Sequence, residues 1–349
     1  MAPFNPQAMT IQSKKPILIW LFSGCFLIYA MVVLGGITRL THSGLSMVEW
    51  NMIVGSMPPM SDADWQVPFE KYKLTPEFQK LNYQFSLDEF KSIYWWEYSH
   101  RLLGRTIGLV FLIPFLYFWI RKKIDKALFN RLVVVLILGG FQGVLGWYMV
   151  KSGLIKDPHV SHYRLAAHLI SAFLVFGFTF WIALDILFPI PKNKQQVDPL
   201  SGIRKAAYVL FAFVVVQIIY GAFVAGLKAG YYYPTFPKMG DEWMPDGVTF
   251  LQPLWKNFME GIPGVQFVHR YIAYVVLFLI SFIWYRSRKL NLLPTQKMAA
   301  NILFTVVWFQ FTLGVLTLLY SVPVCLGVLH QTGAFFFHGF PMEMLLRKG

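Results

Sequence analysis

Four of the eight histidines stand in a repeated setting. Glu97-Tyr98-Ser99-His100-Arg101 is echoed by Gln266-Phe267-Val268-His269-Arg270, and each stretch opens an apolar run. Gln142-Gly143-Val144-Leu145-Gly146 is echoed by Gln310-Phe311-Thr312-Leu313-Gly314, at nearly the same distance from its histidine. A further histidine follows each echo, His168 and then His330. Imidazole is neutral, so it suits a low-dielectric site better than a carboxylate does. Two facing histidines in a helical bundle can hold a haem iron from both sides. A single histidine near a helix end reads as an interfacial or packing residue. Four in repeated order read as iron ligands: His100, His168, His269 and His330. His42, His159 and His162 fall in loops, and His338 has no repeat partner, so none of these is expected to ligate.

The two repeats differ where chemistry is concerned. Glu97 lies three residues before His100 and shares its face if the helix extends that far. Its counterpart is Gln266. A buried carboxylate beside such a site is costly without a function, which points to chemistry in the first half and cofactor holding in the second. The competing reading of Glu97 is an exposed i,i+4 ion pair with Arg101. Gly104 and Gly108, at i+4 and i+8 from His100, leave a groove for a flat macrocycle or, equally, for tight helix packing. Arg101, Arg105, Arg164 and Arg270 have the chemistry to bind propionates or to serve as interfacial anchors.

Membrane helices must position these residues. The chain is 56% hydrophobic and only 14% charged, too little charge to coat a soluble surface. Apolar runs long enough to cross a bilayer fall at about 17–38, 101–120, 132–150, 165–188, 206–227, 268–285, 299–320 and 324–345. The fold expected is an all-α membrane protein of eight transmembrane helices in two pseudo-symmetric four-helix bundles. Residues 1–190 form the first half, with an outer loop over 39–99, and 191–349 form the second. Pro114 and Pro323 mark a kink or a helix start. Gly139, Gly140, Gly143 and Gly146 allow close helix approach.

Bases without matching acids mark one side of the membrane. They are Lys14 and Lys15, the stretch Arg121 to Arg131, Lys192 to Lys205, Arg286 to Lys297, and Arg347 with Lys348. Both termini are therefore expected in the cytoplasm. The net charge of +14 belongs to this asymmetry rather than to nucleic-acid binding. The long loops on the other side, about 39–99 and 228–267, are too aromatic for flexible linkers, and the first is expected to fold as a cap. No cleavable signal or transit pattern precedes Pro16, which favours a bacterial plasma membrane over a mitochondrial inner membrane.

On its motifs the chain resembles the haem A synthase family. The segments are Gly35-Gly36-Ile37-Thr38-Arg39-Leu40-Thr41, Ser43-Gly44-Leu45-Ser46-Met47, Trp95-Trp96-Glu97-Tyr98-Ser99-His100-Arg101-Leu102-Leu103-Gly104-Arg105, Arg164-Leu165-Ala166-Ala167-His168-Leu169 and His330-Gln331. The resemblance implies haem b held by His269 and His330, and haem O as substrate flanked by His100 and His168, with Glu97 essential nearby. It implies oxidation of the C8 methyl of haem O to the formyl of haem A, by successive hydroxylations to a gem-diol that loses water. Partners implied are membrane lipid, haem O synthase and terminal oxidase assembly factors. Cys25 and Cys325 lie in apolar runs, so the outer-loop cysteine pair of some members is absent, and the chain is closer to the branch with a long first loop.

Two other functions compete. A bis-histidine cytochrome passing electrons between quinol and a partner explains four histidines, but not Glu97 in one half only or the aromatic cap. A transporter with repeated halves places its ionisable residues near the midplane, whereas these lie near one surface.

Overall fold

The computed structural model describes residues 11–50, 57–154, 158–189, 201–292 and 294–335. Among them the chain is helical, with one antiparallel bridge, Met239 to Glu242, and no strands. Seven helices are long and apolar enough to cross a membrane. They are α1 (Ile11–Leu40), α4 (Leu87–Ile120), α5 (Lys126–Gly153), α6 (His162–Leu187), α7 (Ser201–Gly226), α9 (Ile262–Arg288) and α10 (Pro294–Leu319). Short helices α2 (Asp62–Lys73), α3 (Pro76–Lys80) and α8 (Trp255–Met259) lie in the two long loops. The eighth expected run starts as α11 (Val324–Gly333), with Pro323 as its N-cap. Most of the rest of that run, His338 included, lies outside the described residues.

Local sequence explains the helix starts. Ser61 with Asp64 and Ser86 with Glu89 form capping boxes that open α2 and α4, and Asp125 caps α5 by accepting from the Leu128 amide. α4 therefore begins at Leu87, well before the apolar run expected at 101. Its 34 residues span about 50 Å, against a hydrocarbon core of about 30 Å, so its first turns stand above the bilayer. There Phe90, Ile93, Tyr94 and Tyr98 pack against Trp65, Phe69 and Tyr72 of α2. Tyr72 and Phe90 are fully buried and stacked at 5.1 Å. The first loop is thus a folded aromatic cap, as its composition implies.

Two larger apolar clusters hold the spans together. One joins α1, α4, α5 and α6 through Trp20, Phe115, Phe118, Leu132 and Ile182. The other joins α6, α7, α9 and α10 through Phe173, Leu210, Ile280, Ile283 and Leu303. α1 packs on α4, α6 and α11, and α7 packs on α6 and α9. Of Gly139, Gly140, Gly143 and Gly146 on α5, only Gly146 makes a close approach. Side chains at Gly139, Gly140 and Gly143 would meet nothing within 4 Å, because this peripheral helix turns that surface away from its neighbours.

Candidate functional site

All four repeated histidines sit near the cap-side ends of their helices, and each rests on a glycine of a neighbouring helix. His100 on α4 lies against Gly35 of α1, His168 on α6 against Gly146 of α5, His269 on α9 against Gly221 of α7, and His330 on α11 against Gly314 of α10. A methyl at these glycines would meet the rings at 3.2, 3.2, 3.2 and 2.7 Å respectively. The absent side chain is what lets an imidazole lie between two helices.

Three of the four contacts carry a second element, a glutamine one turn before the glycine. The side-chain amide of Gln142 donates to the backbone carbonyl of His168 (2.8 Å), that of Gln217 to His269 (3.0 Å) and that of Gln310 to His330 (2.5 Å). In a low-dielectric interior such bonds fix the register of one helix on the next. Gln331 adds a tie from α11 to α1 by donating to the Val32 carbonyl at 3.1 Å.

The histidines fall into two pairs. His269 and His330 face each other with ring centroids 6.5 Å apart and planes at 88°. Two imidazoles bonded to opposite faces of one metal, through bonds of about 2 Å, have centres about 6 Å apart, so this pair fits a haem iron. His100 and His168 lie within electrostatic reach of one another. Nδ1 of His168 and Nδ1 of His269 are buried without a hydrogen-bond partner among the described residues, which befits rings that bind something other than protein.

Glu97 is buried and shares the outer part of α4 with His100. Its carboxylate pairs with Arg101 and accepts from the Ser46 hydroxyl (2.8 Å) and the Met47 amide (2.7 Å). Arg101 also donates to the carbonyls of Met47 and Glu49, both at 2.8 Å. The i,i+4 pair therefore forms, but it is buried, and it ties the 46–49 segment to α4. In the other half Gln266 donates to the Tyr233 carbonyl at 3.3 Å, and Arg270 to the carbonyls of Tyr233, Thr235 and Lys238 at 2.6 to 3.1 Å.

Residues 18–338 match the family described as cytochrome oxidase assembly protein, COX15-CtaA. The chain belongs to this family. It is 50% identical over 329 residues to a protein named heme A synthase from Flavobacterium psychrophilum, covering 93% of this chain and 96% of that one. Its identity to the heme A synthase of Nitrosospira multiformis is 48% over 321 residues, 92% of this chain and 90% of the relative. With heme A synthase COX15 of Arabidopsis thaliana it is 44% over 331 residues, 93% of this chain and 72% of the relative.

Against this family background the other expected residues fall as follows. Arg101 and Arg270 donate through their terminal nitrogens to outer-loop carbonyls, and Arg164 lies over the Tyr148 ring at 4.7 Å. His42 and His159 lie outside the helices, and His162 opens α6, its Nε2 2.9 Å from the Met259 carbonyl. Gly108 faces open space, whereas a methyl at Gly104 would meet Met31 Cε at 3.0 Å. Gln217 carries no echo of Gln142 or Gln310 beyond its own spacing to Gly221, and that i,i+4 Gln–Gly spacing is the signal that finds it. A second buried carboxyl, Glu77 in α3, accepts from the Tyr72 hydroxyl at 3.2 Å.

Proposed function

We propose that the chain is a haem A synthase, oxidising the C8 methyl group of haem O to the formyl group of haem A by successive hydroxylations. The observation that carries this reading is near-full-length identity to proteins of that name. A cytochrome confined to electron transfer gives no account of it.

Haem O is the substrate, held between His100 and His168 in the half spanning 1–190. His269 and His330, in the half spanning 191–349, hold haem b. Bound there, haem b supplies one-electron transfer. Gln217 and Gln310 keep their histidines in register for it. Glu97 acts on the substrate side. Arg101, Ser46 and the Met47 amide already occupy its oxygens, so it works where it stands. It presents negative charge next to the methyl being oxidised and holds the 46–49 segment on α4. Each half is a four-helix bundle, related to the other by pseudo-symmetry, with α11 as the start of the eighth helix. The repeated glycine–histidine contacts and the apolar cluster of α1, α4, α5 and α6 support that division, and a second cluster packs α1 and α6 of the first half against α7, α9 and α10. The membrane is the bacterial plasma membrane, with both termini cytoplasmic, and haem O synthase and oxidase assembly factors are the neighbours that supply substrate and take product.

The test is extraction of pigments from the purified chain, made in cells that produce haem O, with identification by chromatography and mass spectrometry. Haem b together with haem O or haem A is expected. His269→Ala or His330→Ala should abolish the low-spin bis-imidazole signal. Haem b alone, despite a supply of haem O, would restore the electron-transfer cytochrome.

A further inference from the structure

His100 differs from the other three histidines in two independent ways. No glutamine stands one turn before its glycine: the residue four before Gly35 is Met31. The Met31 methyl reaches Gly104, one turn beyond His100, where a glutamine amide would otherwise approach the His100 carbonyl. A thioether cannot donate to that carbonyl. The ring is also turned differently. His168, His269 and His330 bring Cε1 nearest to their glycines, whereas His100 brings Nε2 nearest, 3.2 Å from where a methyl on Gly35 would sit. Elsewhere α1 and α4 are tied by Trp20 donating to the Val110 carbonyl at 2.9 Å and by a longer bond from Thr38 to the Trp96 carbonyl at 3.4 Å, neither at His100 itself.

The partner across the substrate site is the opposite case. The Gln142 amide holds the His168 carbonyl, and its oxygen accepts from the Ser171 hydroxyl, which lies 3.0 Å from the same carbonyl. One substrate-side ligand is thus anchored from two sides, and among the described residues no side chain donates to the carbonyl of the other. On the cofactor side both ligands are clamped.

We propose that the clamps sort permanent from exchangeable ligation. Gln142, Gln217 and Gln310 are positioning residues that lock His168, His269 and His330. Met31 leaves His100 free to let go of the iron, so that haem O enters and haem A leaves from the His100 side while haem b stays. This rests on the assignment of haem O to His100 and His168. An enzyme whose substrate and cofactor share one chemistry needs such a difference, because iron and porphyrin alone do not distinguish them.

The experiment uses the full-length protein in detergent, loaded with haem O, and follows haem transfer to an excess of apomyoglobin by absorbance, with haem b retention and the low-spin EPR signal read in the same samples. Met31→Gln installs the missing donor and should slow haem O transfer about fivefold, the factor one net hydrogen bond carries, with haem b retained. Gln142→Leu should speed haem O transfer by about the same factor, and Gln310→Leu should speed haem b loss and alter its EPR signal, each by removing one such bond. Transfer at the native rate in Met31→Gln, with haem b intact and haem O binding still dependent on His100, overturns the proposal alone. Unchanged haem O retention in both His100→Ala and His168→Ala overturns the site assignment itself, and the proposal with it.

Discussion

Glu97 and Glu77 show what burial does to a carboxyl in two different settings. Glu97 sits against Arg101 with two further donors on its oxygens, and removing its charge leaves a buried guanidinium without its counter-ion. Glu97→Gln is expected to keep haem b on the second half but to make little haem A, with haem O or a hydroxylated intermediate accumulating in the extracted pigments. Haem A at the native rate would leave Glu97 with only the loop to hold. Glu77 has no cation beside it. Burial first, and the Coulombic effect of Glu97 second, push its carboxyl from 4.5 up to about 8. The folded cap therefore holds a proton that the unfolded chain releases. The stabilisation is complete below the ordinary carboxyl range and is lost as pH rises through about 8. Limited proteolysis of the cap should accelerate over that rise, and Glu77→Gln should flatten the pH profile.

At the scale of helices, the site is a set of crossings in which a glycine on one helix receives an imidazole from the next. The crossings are not equally tight. At Gly314 a methyl would meet His330 Cε1 at 2.7 Å, and at Gly221 it would meet His269 Cε1 at 3.2 Å. The first distance forces the ring or the helix to move, whereas the second asks for a few tenths of an ångström. Gly314→Ala should therefore lower the haem b content of the purified protein clearly more than Gly221→Ala. Equal content in the two variants would mean that His330 swings away without cost. The same scale explains α4. Its long outer extension carries the aromatic cap, and the cap packs where Glu97 and Arg101 fasten the 46–49 segment, so cap and site form one continuous structure.

Across the whole molecule, His168, His269 and His330 lie in the first turns of α6, α9 and α11, and His100 in the part of α4 nearer the first long loop. Bases in excess of acids gather on the other side. If the rule relating such bases to the cytoplasm holds here, a reporter active only outside the cell works when fused within 57–86 and fails when fused within Arg121 to Arg131. The reverse result would put the haem O site on the cytoplasmic face. The faces of α4 and α5 that carry the exposed side chains of Ile113, Phe141 and Val144 are apolar, as lipid-facing surfaces are.

The sequence by itself determined the class of molecule and where its helices cross. Hydropathy and basic clusters are properties of contiguous residues, and the seven described spans follow the runs read from them. Helix starts at Ser61, Ser86 and Asp125 are local for the same reason. The four histidines were legible because their flanking segments echo one another in order and spacing. What each histidine rests on was not legible, because Gly35 and His100, or Gly221 and His269, meet only when two helices cross. The echo of Gln142 in Gln310 was visible, but its purpose, an amide aimed at a histidine carbonyl on another helix, and the membership of Gln217 came from packing alone. That Glu97 stands where its echo has Gln266 is visible in the sequence. That its pair with Arg101 is buried and fastens the cap was decided by the tertiary structure, since burial is set by what the rest of the chain places on top of a residue and not by the residue's neighbours in sequence.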